Sequence, residues 1–166
     1  MWALTRQLLE SIKAKETNDS ASAAPCVIVC GDFNSNLENS CGKLLVDGAI
    51  PTNHNKTKRD LNGFHWDRKK RRDTNITPTT DDDFPSLSVP IGFPAMHSAF
   101  EADPPTITHL VEGFEGNLDH IVVSASFRTL RSCKNPSIEI LSAQTAMPSE
   151  NFPSDHISLV CDLEVV

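Results

Sequence analysis

Three short polar clusters in this sequence carry side chains that could hydrolyse a phosphate ester. They are Gly31-Asp32-Phe33-Asn34, Leu118-Asp119-His120 and Pro153-Ser154-Asp155-His156. Such hydrolysis needs a metal ion to offset developing negative charge, a base to activate water, and a donor facing the phosphoryl oxygens. Three carboxylates, one amide and one imidazole are sufficient for these tasks, and a carboxylate can orient a histidine and make it more basic. Asp119 and His156 are therefore the predicted catalytic pair.

Each cluster has a simpler interpretation when it is taken alone. An aspartate such as Asp32 after a strand is usually a turn residue, and Asp119 could cap a strand. Ser154-Asp155-His156 could form a local turn between side chain and backbone. Catalysis is favoured because all three clusters stand at the edges of predicted strands, where a rigid sheet can bring side chains from separate segments into one pocket.

Apolar patterns predict the elements that would position these clusters. The continuous β-branched run from Cys26 to Cys30 is typical of a strand covered on both faces. Helical spacing indicates two helices, Trp2–Ala14 and Lys43–Ile50, the second with Leu44, Leu45 and Val46 facing inward. Further strands are predicted at Thr106–Leu110, Leu118–Ser124, Phe127–Leu130, Ile138–Leu141 and Ile157–Leu163, with a turn at Gly113–Gly116.

The segment from Asn53 to Pro90 is different in kind, because it is polar and has almost no apolar periodicity. It contains opposed charge blocks, Arg68 to Arg72 and Asp81 to Asp83. The composition predicts a disordered insertion within one domain that spans residues 1–166. The basic block could contact a phosphate backbone or act as a nuclear address, but a solvated charge block is the favoured interpretation.

Composition narrows the class of protein. A formal net charge of −7 argues against nucleic-acid binding through bulk positive charge, although a bound cation can neutralise an acidic site. The 5 cysteines are odd in number and lack CxxC spacing, so we expect reduced thiols in an intracellular protein, with Cys26, Cys30 and Cys161 buried. No apolar run reaches transmembrane length, which predicts no membrane partner.

The clusters resemble three signatures of the endonuclease/exonuclease/phosphatase superfamily, in that family's order. The matching segments are Cys30–Ser35, Asn117–Ile121 and Pro153–Val160. Neighbouring residues resemble one branch, the carbon catabolite repressor deadenylases with nocturnin, Angel and 2′,5′-phosphodiesterase. Within that branch, the 2′,5′-phosphodiesterase is the member that three segments resemble most: Val46–Pro51, Thr108–Gly116 and Met147–Ser149.

The resemblance implies an α/β fold, a four-layer α/β/β/α sandwich of which this chain is only the C-terminal half. It also implies a metal-dependent phosphodiesterase or 3′-exoribonuclease that uses Mg²⁺, or Mn²⁺, on poly(A) RNA or 2′,5′-oligoadenylate. By the family motifs, Asp32 would activate the attacking water and Asn34 would hold the water and the phosphate. Asp119 would orient His156, which would stabilise the phosphoryl oxygens.

Further roles implied by the resemblance concern the metal and the substrate. Asp155 and Asp32 would lie at the metal site, and Phe114 would stack on a base of the substrate, with Asn34 and His109 as other substrate contacts. The sequence departs from the family at His109, where relatives carry Asn, and at His120, where they usually carry Tyr. We do not expect His120 to be catalytic.

Only the second half of the family's domain can be matched, from Leu4 onward. The family's metal-binding Glu and its Asn-Thr-His motif are not found before Asp32. We therefore expect the chain to be a C-terminal part that is inactive alone, from a protein in the cytoplasm or mitochondria. Two alternatives stay open, the same chemistry on a non-RNA phosphoester and a catalytically dead fragment that acts through protein contacts; Phe114 favours a substrate that carries a base.

Overall fold

The described part of the chain is built mainly from short antiparallel strands. In the computed structural model, the described residues are 25–50, 87–143 and 147–166, together with residues 7, 8, 10 and 11. Their elements, in chain order, are β1 (Ile28–Asp32), α1 (Ser40–Val46), β2 (Ala49–Ile50), β3 (Leu87–Ser88), β4 (Met96–Ser98), β5 (His109–Val111), β6 (Phe114–Gly116), β7 (Asp119–Ser124), β8 (Phe127–Ser132), α2 (Ile138–Ser142) and β9 (Cys161–Val165).

β7 is the middle strand of the three-stranded sheet β1-β7-β4, and both pairings are antiparallel. Its central residues Val122 and Val123 are fully buried, as expected for β-branched side chains on a strand with neighbours on both sides. Because Asp32 ends β1 opposite Asp119, which begins β7, two carboxylates stand side by side at one end of this sheet.

Three two-stranded sheets surround this centre, β2-β3, β5-β6 and β8-β9. The β5-β6 hairpin turns at Gly113, whose φ of 80° is a conformation that suits glycine. The β8-β9 pair is interrupted between Thr129 and Arg131, and the pairs Arg128–Glu164 and Arg131–Asp162 cross it on the exposed side. The β5-β6 hairpin is the one that bears on the site.

The apolar core has three clusters. One joins Val27, Val29, Leu45, Met96 and Val122, with Leu8 packed against it, and a second joins Ala99, Phe100 and Val123. The third joins Ile107, Leu141 and Met147 under the segment that carries the last polar cluster. The helical residues 7, 8, 10 and 11 lie within the predicted Trp2–Ala14 helix, the rest of which is outside the described residues.

Several sequence predictions are wrong in detail. Ile138–Leu141 is not a strand but belongs to helix α2, whose N-cap residue is Ser137. The helix buries Leu141 and leaves Ile140 exposed. An isolated apolar run cannot distinguish these states by periodicity alone. The predicted turn at Gly113–Gly116 is mostly strand β6, and Ala49–Ile50 forms strand β2 instead of ending the preceding helix.

Burial of β1 was also predicted wrongly. Val27 and Val29 are buried, but Ile28 on the opposite face is 47% exposed, so only one face is covered within the described residues. Cys26 and Cys30 share the exposed face, and Cys161 is half-buried, which corrects the expectation that these thiols are buried. Alternation of buried and exposed side chains is the pattern of a strand with a single covered face.

Most of the predicted Asn53–Pro90 insertion lies outside the described residues, and so do both of its charge blocks. Its last residues are described: Leu87–Ser88 pair with Ala49–Ile50, and the Val89 N–H donates to the Gly48 carbonyl at 2.8 Å. Within the described ranges, no helix combines the length and the apolar character that crossing a membrane requires.

Candidate active site

Asp32 and Asn34 form a compact turn directly after β1. The Asn34 backbone N–H donates to Asp32 Oδ1 at 2.7 Å, and its side-chain amide donates to Oδ2 at 3.3 Å. Asn34 has a φ of 49°, a left-handed conformation that asparagine tolerates better than most residues. The local turn that Asp32 alone suggested is therefore present, and it leaves an ordered, exposed carboxylate at the end of the sheet.

Asp119 and His156 form a hydrogen-bonded pair across two distant segments. His156 Nδ1 lies 2.8 Å from Asp119 Oδ2, and both side chains are partly buried. This hydrogen bond is the main reason why the pKa of His156 is raised, while burial opposes the shift and the charges of Asp119, Asp32 and Asp155 add to it. With Nδ1 engaged, Nε2 is the nitrogen available to a substrate or a metal.

Buried Thr108 fixes the start of β7, where Asp119 lies. Its hydroxyl oxygen accepts from the backbone N–H groups of Leu118 and Asp119, at 2.8 and 2.9 Å. Its carbonyl accepts from the Ile157 N–H at 2.8 Å, next to His156. One fully buried threonine therefore contacts both chain segments of the pair.

The loop that carries Asp155 and His156 is attached to β5 by its main chain. The Leu110 N–H donates to the Asp155 carbonyl at 3.1 Å, and His109 and His156 form an isolated antiparallel bridge. The His156 N–H also donates to Ser154 Oγ at 3.0 Å, which is the local turn expected for this segment. These bonds hold His156 against the sheet.

His109 enters the site more deeply than the sequence indicated. Its side chain is only 14% exposed, and its ring centroid is 4.5 Å from that of His156 and 5.5 Å from that of Phe114. His109 Nε2 lies 3.5 Å from Asp155 Oδ2, and its Nδ1 is buried without a hydrogen-bond partner among the described residues. Phe114 itself is half-exposed, with a face available to a ligand.

One group of side chains in the described chain could hold a metal ion. His109, Asp155 and His156 each offer a ligand atom, and these atoms lie within 4.8 Å of one another. Asp155 was a predicted metal residue, whereas Asp32, the other one, is not a member of this group. An oxygen-preferring ion such as Mg²⁺ fits the carboxylates of Asp32 and Asp155 in donor type, since it is commonly bound through one or two carboxylates plus water and phosphate.

His120 has a structural environment, in agreement with its exclusion from the predicted catalytic set. It is 5% exposed, its Nε2 donates to the Ser35 carbonyl at 2.8 Å, and its ring contacts Phe33 edge-on. Burial lowers the pKa of His120, although the Ser35 hydrogen bond and the charges of Asp119 and Asp32 oppose the shift. His120 therefore stabilises the turn after β1 through its contacts with Phe33 and the Ser35 carbonyl.

Comparison with known proteins places this site in a family context. The chain is 32% identical to human 2′,5′-phosphodiesterase 12 over 139 residues, which is 83% of this chain and 19% of that protein. It is 26% identical over 141 residues to the Schizosaccharomyces pombe CCR4-Not complex 3′-5′-exoribonuclease subunit Ccr4, covering 84% of this chain and 18% of that protein. No protein-family model matches the chain.

A solved structure gives the fold. The crystal structure of ANGEL2, a 2′,3′-cyclic phosphatase, in complex with adenosine-2′,3′-vanadate superposes with a TM-score of 0.59 at 16% sequence identity. The match covers 92% of this chain and 48% of that one. This chain belongs to the endonuclease/exonuclease/phosphatase superfamily.

The superfamily assignment confirms both the predicted resemblance and the predicted fold class. Its branch is the one that holds the 2′,5′-phosphodiesterase and Ccr4-type deadenylases. The chain spans about a fifth of the length of the curated relatives it matches. The roles of individual residues are not given by the superfamily and stay predictions, although the structure brings Asp119 to His156, and His109 and Asp155 to the same side of the pair.

Sequence reasoning underestimated one residue. His109 was expected only as an uncertain substrate contact, with a surface strand position as the simple interpretation. Two of its neighbours, Asp155 and His156, come from a loop more than 40 residues away, so no local pattern could reveal them. The available signal was its place in Thr108-His109, directly before the hairpin that carries Phe114.

Proposed function

We propose that this chain contributes the catalytic residues of a metal-dependent phosphodiesterase that removes nucleotides from the end of poly(A) RNA or 2′,5′-oligoadenylate. The observation that supports this most directly is the Asp119–His156 hydrogen bond of 2.8 Å beside the Asp32 carboxylate. A structural protein has no need for an ordered imidazole with a free nitrogen between three carboxylates. Relatives named as a 2′,5′-phosphodiesterase and a 3′-5′-exoribonuclease agree with the reaction class.

In the proposed mechanism, Asp32 orients the attacking water and takes its proton. Asn34 contributes its amide to the water and to a phosphoryl oxygen. His156, whose protonated form is favoured by its hydrogen bond to Asp119, donates from Nε2 to the phosphoryl oxygens as charge builds on them. Its raised pKa suits this role, because the protonated ring is the better donor.

A divalent ion, Mg²⁺ or Mn²⁺, would supply Lewis-acid stabilisation of the same oxygens, with Asp32 and Asp155 as the residues of this chain that would hold it. The net charge of −7 is compatible with a polyanionic substrate only if the acidic site is neutralised locally. Phe114, half-exposed at the end of the β5-β6 hairpin, would stack on an adenine base.

The test is a hydrolysis assay on the native polypeptide, including any residues that flank this chain. Substrates are 3′,5′-linked and 2′,5′-linked oligoadenylates, 2′,3′-cyclic AMP and an inositol polyphosphate, each with Mg²⁺, with Mn²⁺ and with chelator. We expect cation-dependent release of mononucleotide from an oligoadenylate. Asp32→Ala should lower the rate by roughly 10²-fold or more, because it removes the residue that activates water.

Two results would contradict the proposal. Hydrolysis of the inositol polyphosphate in preference to every adenylate would place the chemistry on a non-RNA phosphoester. Absence of hydrolysis of any substrate would favour a protein that acts through contacts. The 166-residue chain by itself should show no turnover, since its described residues provide few oxygen ligands for the ion.

A further inference from the structure

His109 has no structural role that explains its position. A buried histidine that serves the fold normally hydrogen-bonds through at least one ring nitrogen. Among the described residues, His109 Nδ1 has no partner, and the 3.5 Å from Nε2 to Asp155 Oδ2 is longer than a good hydrogen bond. Nevertheless, the His109 side chain is largely buried, with only 14% of it exposed to solvent. His109 Nε2 thus lacks a good hydrogen bond although a carboxylate and a second imidazole lie beside its ring, which suggests that this nitrogen serves a ligand.

We propose that His109, Asp155 and His156 form a binding site for a transition-metal cation, Zn²⁺, which shares Asp155 with the oxygen-ligated ion of the proposed hydrolysis and takes its other donors from the two imidazoles. Two imidazoles and one carboxylate with an open fourth position are a donor set suited to Zn²⁺. Mg²⁺ disfavours this set, because it prefers oxygen ligands in octahedral geometry.

The spacing of the donors fits this ion. Zinc bonds of about 2.0–2.1 Å in tetrahedral geometry place ligand atoms about 3.3 Å apart. His109 Nε2 and Asp155 Oδ2 are already at 3.5 Å, and all three ligand atoms lie within 4.8 Å. To reach this spacing, the ligand atoms must each move by about 1 Å or less. The side chains of Asp155 and His156 are partly exposed and can make such movements.

Neighbouring groups hold the two histidines and Asp155 in the orientation that metal binding needs. Asp119 accepts from His156 Nδ1, the carboxylate–histidine arrangement that fixes the tautomer and leaves Nε2 for the metal. His109 and Asp155 are held by the β5 main chain through the Leu110-to-Asp155 bond and the bridge to His156. Phe114 packs against the His109 ring. The site is therefore organised before any ion arrives.

Zinc at this position would occupy His156 Nε2, the nitrogen that the proposed hydrolysis requires. Zn²⁺ would then inhibit the enzyme even when Mg²⁺ is saturating. Inhibition depends on the proposed function, but zinc binding does not, so the two can fail separately.

The test measures binding of the metal alone. Zn²⁺ affinity is determined by calorimetry for the native polypeptide and for His109→Asn, with His97→Asn as the matched control, because His97 on β4 is outside the group. Co²⁺ replaces Zn²⁺ in a parallel absorption experiment, since the exposed cysteines would reveal themselves by thiolate-to-cobalt charge transfer. Circular dichroism of each variant reports its folding.

We expect one equivalent of Zn²⁺ whose affinity falls at least about tenfold in His109→Asn and stays unchanged in His97→Asn. Asp119→Asn should weaken zinc affinity by about 10- to 100-fold, because Asp119 orients His156 without touching the metal. Mg²⁺ should compete only weakly, because it shares Asp155 but disfavours the two imidazoles. Equal zinc affinity in folded His109→Asn, or a Co²⁺ spectrum dominated by thiolate, would overturn the proposal. If His109→Asn does not fold, Asp155→Asn is measured in its place, with the same expected tenfold loss and the same contradicting result.

Discussion

At the scale of single residues, the site depends on which nitrogen of each histidine is occupied. His156 uses Nδ1 for Asp119, so Nε2 is available, whereas buried His120 uses Nε2 for the Ser35 carbonyl. The sequence was enough to select Asp119 and His156, because their residue types and strand-edge positions indicated chemistry. It was not enough to place His109 beside His156, because the bridge that joins these residues exists only in the folded chain.

In the proposed mechanism Asp119 acts through His156, so replacing Asp119 with Asn should lower kcat more than it weakens substrate binding. An asparagine keeps the size of the side chain but removes the negative charge that raises the pKa of His156 and orients its ring. We expect kcat to fall roughly 10²- to 10⁴-fold with KM changed little. Steady-state kinetics on oligoadenylate measure this split, and exposed Asp103→Asn is the control. A rise in KM at constant kcat would show that Asp119 serves binding instead.

His120 should make the stability of the fold depend on pH. Burial lowers the pKa of His120 from its usual 6.5 in the folded chain, while the unfolded chain keeps the usual value. The unfolded state therefore binds a proton first as the pH falls, so the free energy of unfolding decreases below about pH 6.5, down through the lowered pKa. In His120→Phe this part of the pH dependence is absent, although losing the Ser35 hydrogen bond costs about 0.5–1.5 kcal/mol at neutral pH.

Urea unfolding at about pH 7.5 and about pH 5.5 measures the effect. The difference between the two pH values should be smaller in His120→Phe than in the native sequence, and His97→Asn, a change on β4, should keep the native difference. An identical difference in all three proteins would mean that His120 does not titrate in this range.

At the scale of elements, the hydrophobic pattern predicted the core strands β1 and β7. It did not predict the short helix α2. β7 and β1 were predicted within about two residues, because their β-branched runs match strand geometry. α2 was missed, because a five-residue helix has too few turns to show a period. The burial of β1 on one face could not be predicted either, since a run of apolar residues does not say which face a neighbour covers.

Thr108 links the start of β7 to the segment that follows His156, and removing its hydroxyl should loosen the site. Thr108→Val keeps the shape of the fully buried side chain but leaves the Leu118 and Asp119 N–H groups without their acceptor. Each unsatisfied donor costs about 1–3 kcal/mol, so we expect a clear loss in the free energy of unfolding. Chemical denaturation measures the loss.

Thr108→Ser is the matched control for this change. It keeps the hydroxyl and removes only a methyl group, so it should cost about 1 kcal/mol and preserve both hydrogen bonds. Hydrogen exchange at the Asp119 amide should accelerate in Thr108→Val and not in Thr108→Ser. Equal stability of the two variants would mean that the hydroxyl does not hold the start of β7.

At the scale of the whole molecule, the three polar clusters converge because β1, β7 and the loop after residue 147 meet at one end of the central sheet. The superfamily resemblance predicted this convergence, since the order of the motifs implies a known topology. Physical pattern alone could not, because the pairing of β1 with β7 joins residues about 90 positions apart. Long-range pairing of this kind depends on the closure of loops whose sequences carry no pairing signal.

The segment 51–86 should be replaceable without loss of the fold. Its two ends are adjacent, because Ile50 pairs with Leu87 and Ala49 with Ser88 in antiparallel register. Directly opposite residues can be joined by a two-residue Asn-Gly turn. Because 51–86 lies almost wholly within the predicted Asn53–Pro90 insertion, which has almost no apolar periodicity, its removal should leave the core in place. Shortening the connection from 36 residues to two lowers the loop-closure cost by roughly 2.5 kcal/mol, so the free energy of unfolding should stay equal or rise.

The replacement is made in the native polypeptide and measured by chemical denaturation and by oligoadenylate hydrolysis. A variant with residues 51–86 scrambled in order serves as the control for composition and length. Both variants should unfold cooperatively, because neither changes the β2-β3 pair or the bond from the Val89 N–H to the Gly48 carbonyl that closes it. If the Asn-Gly variant loses cooperative unfolding, the segment supplies part of the core. If it unfolds normally but loses hydrolysis while the scrambled variant keeps it, length alone, and not sequence, is what the segment contributes to activity.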